Sequence, residues 1–153
     1  MKAAVVEALR SRVAQDLAAL ESVAAMARDE VGNSETRQEG KYDTRSTEAS
    51  YLARGQAWRI AELRQLKAWF DRLQPRAQDS AEVGALVEVE GPRVELLFLA
   101  PAGGAQVEVE GRRVRVISPQ SPLGTALSGL EEGDAFEVFT PQGRVEYEVL
   151  SVQ

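Results

Sequence analysis

The segment LQPRAQDSAEVGALVEVE, Leu73–Glu90, marks a change in the spacing of apolar residues along the chain. Before Gln74-Pro75, apolar residues recur every three or four positions, which is typical of amphipathic helices. After Asp79, apolar and polar residues alternate, which is typical of half-buried strands. Because proline disfavours helix at the residue before it, we predict that a helical part ends near Pro75 and that a β part follows.

Upstream of this change, two helical stripes are separated by a polar segment. The first stripe covers Val6–Val31, and Gly32 stands where a helix stop signal is expected. The second stripe covers Leu52–Leu73. Two long amphipathic helices can bury their stripes by pairing. We therefore predict that residues 1–75 form an antiparallel coiled-coil hairpin, with a polar tip near residues 32–47.

Downstream of Asp79, six alternating, valine-rich segments are separated by turns that contain glycine or proline. This pattern predicts a small antiparallel sheet of five or six strands. Ser121–Leu130 interrupts the alternation, and Pro122 suits the first turn of a short helix. The predicted fold class is α+β: the hairpin, then a β domain over residues 80–153 with one short helix.

The composition excludes several kinds of site. The 153 residues include no cysteine and no histidine, so disulfides, thiolate nucleophiles and imidazole bases or ligands are absent. A net charge of −6 argues against a free-standing nucleic-acid binder, which usually has a basic surface. The amino-terminal segment has charges every few residues, unlike a signal peptide or a membrane span. We expect a cytoplasmic protein with no membrane partner.

The polar segment ETRQEGKYDTRSTEAS, Glu35–Ser50, offers almost nothing to bury. Because helix-to-helix connections are usually about 2–8 residues, we expect part of this stretch to extend the helices; the rest is still longer than a turn requires. Its acids alternate with Arg37, Lys41 and Arg45, as in a solvated, self-neutralised loop. A tip that presents carboxylates to a partner fits the same pattern, and both interpretations stay open at this point.

The segment VISPQSPLGTALSGLEEGDAFEVFTPQGRVEYEVLSV, Val116–Val152, resembles the carboxy-terminal pattern of the Gre family, the transcript-cleavage factors of bacterial RNA polymerase. The matching elements are Ser121-Pro122-Leu123, Ala126-Leu127, Gly133-Asp134 and Pro141-Gln142-Gly143. The amino-terminal half is similar to shorter, divergent Gre-related proteins. The resemblance implies that the β domain is FK506-binding-protein-like (FKBP-like) and follows a coiled coil.

The resemblance also implies a mode of action. In the Gre family, the β domain docks on the rim of the polymerase secondary channel, and the coiled coil brings its tip near the catalytic Mg²⁺. The docking role falls on Gln120, Ser121, Pro122 and Leu123. The implied protein regulates transcription elongation, is not itself an enzyme, and meets nucleic acid only indirectly, within the elongation complex.

At the tip, the sequence departs from the family arrangement Gly-Asp-x-x-Glu. The chain reads Gly32-Asn33-Ser34-Glu35, so Asn33 stands at the aspartate position, and Glu35 matches the glutamate although it lies two positions after Asn33 rather than three. Glu39 and Asp43 are additional acids. Mg²⁺ is held mainly by carboxylate oxygens, so the loss of one charge implies weak cleavage stimulation. We expect no cofactor, and no metal held stably by the chain alone; the only metal implied is the Mg²⁺ of the polymerase.

Two other functions compete with this one. An FKBP-like domain suggests a peptidyl-prolyl isomerase, which needs several aromatic rings around one pocket. The β half holds four such rings, Phe98, Phe136, Phe139 and Tyr147. Alternatively, the hairpin is an oligomerisation or adaptor module, with Trp58 as a contact. Trp69 and Phe70 are expected to pack where the coiled coil meets the β domain.

Overall fold

The computed structural model describes the backbone of residues 1–35 and 43–153, and the side chains of residues 1–28 and 53–153. Two long helices come first, α1 (Lys2–Glu35) and α2 (Asp43–Arg72). The elements that follow are β1 (Leu86–Glu90), β2 (Val94–Leu99), β3 (Gln106–Val109), β4 (Arg112–Ile117), α3 (Pro122–Leu127), β5 (Ala135–Thr140) and β6 (Gly143–Val152). The predicted order, helices before strands with one short helix among the strands, is observed.

The helices α1 and α2 pack side by side and bury their apolar stripes against each other. Glu21 of α1 forms an ion pair with Arg64 of α2 at 2.9 Å. Arg10, earlier in α1, donates to the carbonyl of Phe70, later in α2. The described parts of the two helices therefore run antiparallel. The connection at residues 36–42, which is the middle of the tip predicted near residues 32–47, lies outside the described residues.

The helices extend into the polar stretch, as expected: α1 continues to Glu35 and α2 begins at Asp43, before the apolar stripe resumes at Leu52. The helix stop predicted at Gly32 is wrong, because α1 continues through it. A single glycine costs a helix only about 1 kcal/mol relative to alanine, which its neighbours can offset. An apolar stripe shows where a helix is buried, not where it starts. At the other end, the break predicted at Gln74-Pro75 is confirmed, since α2 ends at Arg72.

The six strands form one sheet in the order β3-β4-β2-β1-β6-β5. All neighbours are antiparallel except β2 and β4, which run parallel, with Leu96 opposite Val114. The prediction of a purely antiparallel sheet is therefore wrong at this pair. The reason lies in the connection after β2, which crosses the end of β4, where the Gly104 N–H donates to the Val116 carbonyl at 3.1 Å. The chain first forms β3 at the edge of the sheet and then returns as β4, which lies between β3 and β2.

The sheet has an apolar core on each face. On one face, the base of α1 and α2 covers Phe98 and Val114. On the opposite face, Leu127 of α3 packs among Leu97 and Val149. Among the described residues, the core beneath α1 and α2 includes none from β5 or β6. The two long helices thus cover one half of their face of the sheet and leave the other half open.

Aromatic rings join the paired helices to the sheet. The Trp69 and Phe70 ring centroids lie 4.9 Å apart in an edge-to-face arrangement, and Phe70 stacks on Phe98 at 5.8 Å. Phe70 and Phe98 are fully buried. This confirms the prediction that Trp69 and Phe70 pack where the helical part meets the β domain.

Lys2 adds a polar tie at the same junction. Its ammonium group donates to the Arg76 carbonyl at 2.6 Å, to Gln78 Oε1 at 3.0 Å and to the Gln153 carbonyl at 2.8 Å. Three separate parts of the chain, the start of α1, the segment after α2 and the end of β6, therefore meet at one side chain. Within the described parts of the chain, we find no helix with the length and apolar character needed to cross a membrane.

Candidate functional site

The predicted docking segment, Gln120–Leu123, forms the entry to α3. Ser121 is the N-cap residue: its Oγ accepts a hydrogen bond from the Gly124 N–H at 3.0 Å. The Ser121 hydroxyl also donates to the Ser118 carbonyl at 2.8 Å, and Thr125 Oγ1 donates to the Pro119 carbonyl at 2.8 Å. These bonds brace the loop against the first helical turn. The segment is therefore held in place by the chain itself.

The side chains of this segment divide into supporting and presented groups. Ser121 uses its hydroxyl as donor and as acceptor in the cap, so it supports the segment. Gln120 and Pro122 are exposed, and half-buried Leu123 packs against the core beneath α3. The surface available to a partner is thus an amide group, a proline ring and the outer part of a leucine.

Gly124 makes this compact entry possible, and sequence reasoning missed it. A Cβ atom at this position would lie 1.9 Å from the Ser118 carbonyl oxygen. Contacts that short do not occur between non-bonded atoms, so only glycine fits here. The available signal was a glycine inside a predicted helical turn, directly after the Ser-Pro-Leu motif.

The structure describes the predicted tip residues only in part. Asn33 and Glu35 belong to the last turn of α1, Asp43 is the first residue of α2, and Glu39 lies outside the described residues. Positions two apart on a helix do not share a face, so the backbone separates positions 33 and 35. Within the described residues, no three acidic side chains come together as a metal site. The role of the tip acids stays a prediction.

The aromatic rings of the β half are dispersed. Phe98 is buried beneath the long helices, Phe139 is 75% exposed, and Phe136 stacks on Tyr147 at 5.1 Å at the margin of the core beneath α3. These rings do not converge on one proline-sized pocket, which argues against an isomerase site in the described residues. On α2, Trp58 is 78% exposed.

Comparison with known proteins shows which family this β domain matches. Residues 78–153 match the family described as Transcription elongation factor, GreA/GreB, C-term. The chain belongs to the Gre family. The match contains the predicted docking segment and all of the described strands, and it confirms the resemblance identified at Val116–Val152.

Relatives of this Gre-family chain include a curated protein and solved structures. Over 40 residues it is 50% identical to Transcription elongation factor GreA of Acinetobacter baumannii (strain SDF), a match that covers 26% of this chain and 25% of that protein. The crystal structure of GreA factor homolog 1 (Gfh1) of Thermus thermophilus aligns with 94% of each chain, with a TM-score of 0.40 and a sequence identity of 22%. For Thermus aquaticus Gfh1 the identity is 21%, the coverage 94% of this chain and 92% of that one, and the TM-score 0.41.

Proposed function

We propose that this Gre-family chain is a transcription elongation factor that binds bacterial RNA polymerase. Its β domain docks on the rim of the secondary channel through Gln120–Leu123, and its paired helices enter the channel towards the active site. The observation that carries this proposal is the braced, exposed entry to α3 within a Gre-family domain. The name of the Acinetobacter relative, a transcription elongation factor, supports the same process.

The joint between helices and sheet supports a positioning role. α1 has 34 residues, which corresponds to about 50 Å at 1.5 Å per residue. Its base is fixed to the sheet by the aromatic contacts of Phe70 and by the three hydrogen bonds of Lys2. A docked β domain would therefore hold the far end of the helices at a set distance and direction.

The chain acts on a reaction that belongs to the polymerase. The Mg²⁺ of the polymerase active site supplies the Lewis-acid chemistry. Glu35, Glu39 and Asp43 are oxygen ligands of the kind that Mg²⁺ prefers, and Asn33 offers a neutral oxygen. With one carboxylate fewer than the family arrangement, the chain serves mainly as a regulator or competitor in the channel and stimulates cleavage weakly. It acts in the cytoplasm and meets nucleic acid only inside the elongation complex.

A binding experiment followed by a cleavage experiment tests this proposal. Purified bacterial RNA polymerase, immobilised and incubated with the chain, should retain it. The chain should then change the behaviour of a stalled, backtracked elongation complex while releasing little cleaved transcript. If the polymerase does not retain the chain, the proposed function is wrong and only the fold and the family stand.

An adaptor role is the second candidate, because Trp58 is 78% exposed on α2. Large aromatic side chains exposed on a helix often mark a contact surface. Sedimentation equilibrium distinguishes the two functions. Self-association that disappears in Trp58→Ala, together with no polymerase binding, would favour the adaptor role.

A further inference from the structure

A second surface of the β domain lies uncovered beside the paired helices. We define the open face as Glu137 and Phe139 of β5, Arg144, Glu146 and Glu148 of β6, and Glu90 of β1. Cross-strand register places these residues on one side of the sheet, with Glu137 opposite Glu146, Phe139 opposite Arg144 and Glu90 opposite Glu148. The intervening Phe136 and Tyr147 pack against the core beneath α3, on the other side.

Two like-charged pairs occur on the open face, and only one is compensated. Arg144 contacts Glu137 at 3.2 Å and Glu146 at 2.8 Å, so it neutralises part of that pair. Glu90 and Glu148 also stand directly opposite each other, and neither forms an ion pair within the described part of the chain. Like charges in this position destabilise a sheet. Their presence therefore needs a reason other than folding stability.

Protection of the sheet edge does not supply that reason. Charged residues on an edge strand discourage pairing with other chains, and Glu137 on the edge strand β5 can serve in that way. Glu90 and Glu148 lie on β1 and β6, which have a neighbouring strand on both sides. Their charges protect no edge, and they remain available to a partner.

An exposed aromatic ring lies on the same face as these charges. Phe139 is 75% exposed. A shallow groove, which Phe139 does not line, lies among Glu90, Ala135, Glu137, Glu146 and Glu148, with Phe136 and Tyr147 also in its lining. Phe139 lies four residues along β5 from Ala135, which is opposite Glu148. At about 3.4 Å per residue along a strand and about 4.8 Å between strands, Phe139 lies about 14 Å from Glu148 and about 17 Å from Glu90. That spacing suits one short protein segment that touches both.

We propose that the open face is a second docking surface for the polymerase, and that it takes a basic segment carrying an apolar side chain. The apolar side chain packs on Phe139, and lysine or arginine pairs with Glu90 and Glu148. The inference rests on the proposed function. Charge selects the occupant: nucleic acid is repelled by unpaired carboxylates, and a second copy of a chain with net charge −6 is disfavoured.

Matched variants test the open face by their polymerase affinity. Glu90→Gln/Glu148→Gln removes the uncompensated charges, and Phe139→Ser removes the ring. The control, Glu108→Gln/Glu110→Gln, makes the same change in net charge at exposed positions by β3, on the opposite edge of the sheet. Binding is followed by anisotropy of the labelled chain, titrated with polymerase at low and at high salt.

We expect the glutamine pair to weaken binding about tenfold at low salt, as two exposed charge contacts allow, with little difference from the unmodified chain at 1 M salt. Phe139→Ser should weaken binding about tenfold at both salt concentrations. The control pair should bind like the unmodified chain. The glutamine pair should also melt at the same or a higher temperature, because it relieves repulsion. A purely structural role would not combine weaker binding with higher stability.

Other outcomes overturn the inference in distinct ways. If the open-face variants bind like the control, the open face is not a docking surface, while the proposed function stands. If the unmodified chain does not bind polymerase, both proposals are wrong. If the unmodified chain sediments as a dimer and the open-face variants as monomers, the occupant is a second copy of the chain.

Discussion

At the scale of single residues, two glycines illustrate how local space decides the effect of a side chain. Gly124 is buried at the entry to α3, where a Cβ atom would lie 1.9 Å from the Ser118 oxygen. Gly55 lies on the exposed side of α2, and nothing surrounds its Cβ position within 4 Å. The same substitution should therefore have opposite effects at the two positions.

Gly124→Ala should lower the free energy of unfolding by about 2–3 kcal/mol, because the loop must move to admit a methyl group. Gly55→Ala should raise it by up to about 1 kcal/mol, because alanine is the better helix former. Urea denaturation followed by circular dichroism measures both. A neutral Gly124→Ala variant would contradict the close packing of the α3 entry.

Lys2 gives a second prediction at this scale. The residue is 8% exposed; burial, and then the nearby Arg76 charge, lower the pKa of its ammonium group below the ordinary value of 10.5. Lys2→Met should cost about 1–3 kcal/mol near neutral pH, because the acceptors at Arg76, Gln78 and Gln153 lose their donor.

The pH dependence of this variant has a definite sign. Between the lowered pKa of Lys2 and 10.5, the unfolded chain keeps a proton that the folded chain has released. Folding stability contributed by Lys2 therefore increases as the pH rises through this range. The difference in unfolding free energy between the unmodified chain and Lys2→Met should grow towards pH 10. Lys67→Met, at a surface pair with Asp71, is the control and should change stability by about 0.5 kcal/mol or less.

At the scale of elements, the entry to α3 contains one residue that stabilises the fold and another that is expected to bind the polymerase. Pro122 is exposed at the first turn, whereas Ser121 is engaged in the cap. Pro122→Arg should weaken polymerase binding in a pull-down while changing the unfolding free energy by no more than about 1 kcal/mol. Ser121→Ala should instead cost about 1 kcal/mol of stability, as loss of an N-cap usually does. Unchanged binding by Pro122→Arg would show that the segment is structural only.

The elements also show what sequence patterns can and cannot predict. Alternation located all six strands, and Ser121-Pro122 located α3, because each signal is local. The parallel pairing of β2 with β4 was missed, since it depends on where the connection after Leu99 crosses the sheet. The open face was missed for a similar reason. Alternation alone places Phe139 and Glu137 on one side of a strand, but only the fold shows that no helix of the described residues covers that side.

At the scale of the whole molecule, the tip is expected to act at the active site of the polymerase. Asn33→Asp should raise cleavage of backtracked transcripts above the low level of the unmodified chain, because it restores a carboxylate. Glu35→Ala should abolish the remaining activity. Gel analysis of labelled transcript in stalled complexes measures both. Strong cleavage by the unmodified chain that persists in Glu35→Ala would show that both the activity and the residue are wrongly assigned.

The joint between helices and sheet makes the paired helices a lever arm. With a length of about 50 Å at 1.5 Å per residue, a tilt of about 5° at the base displaces the far end by about 4 Å. Misplacement by about 1 Å can reduce a catalysed rate about a hundredfold. Substitutions beneath Phe70 or at Lys2 lie remote from the far end of the helices. They should therefore alter function only by changing the angle between the helices and the sheet. The angular precision of the base limits how accurately the far end can be placed.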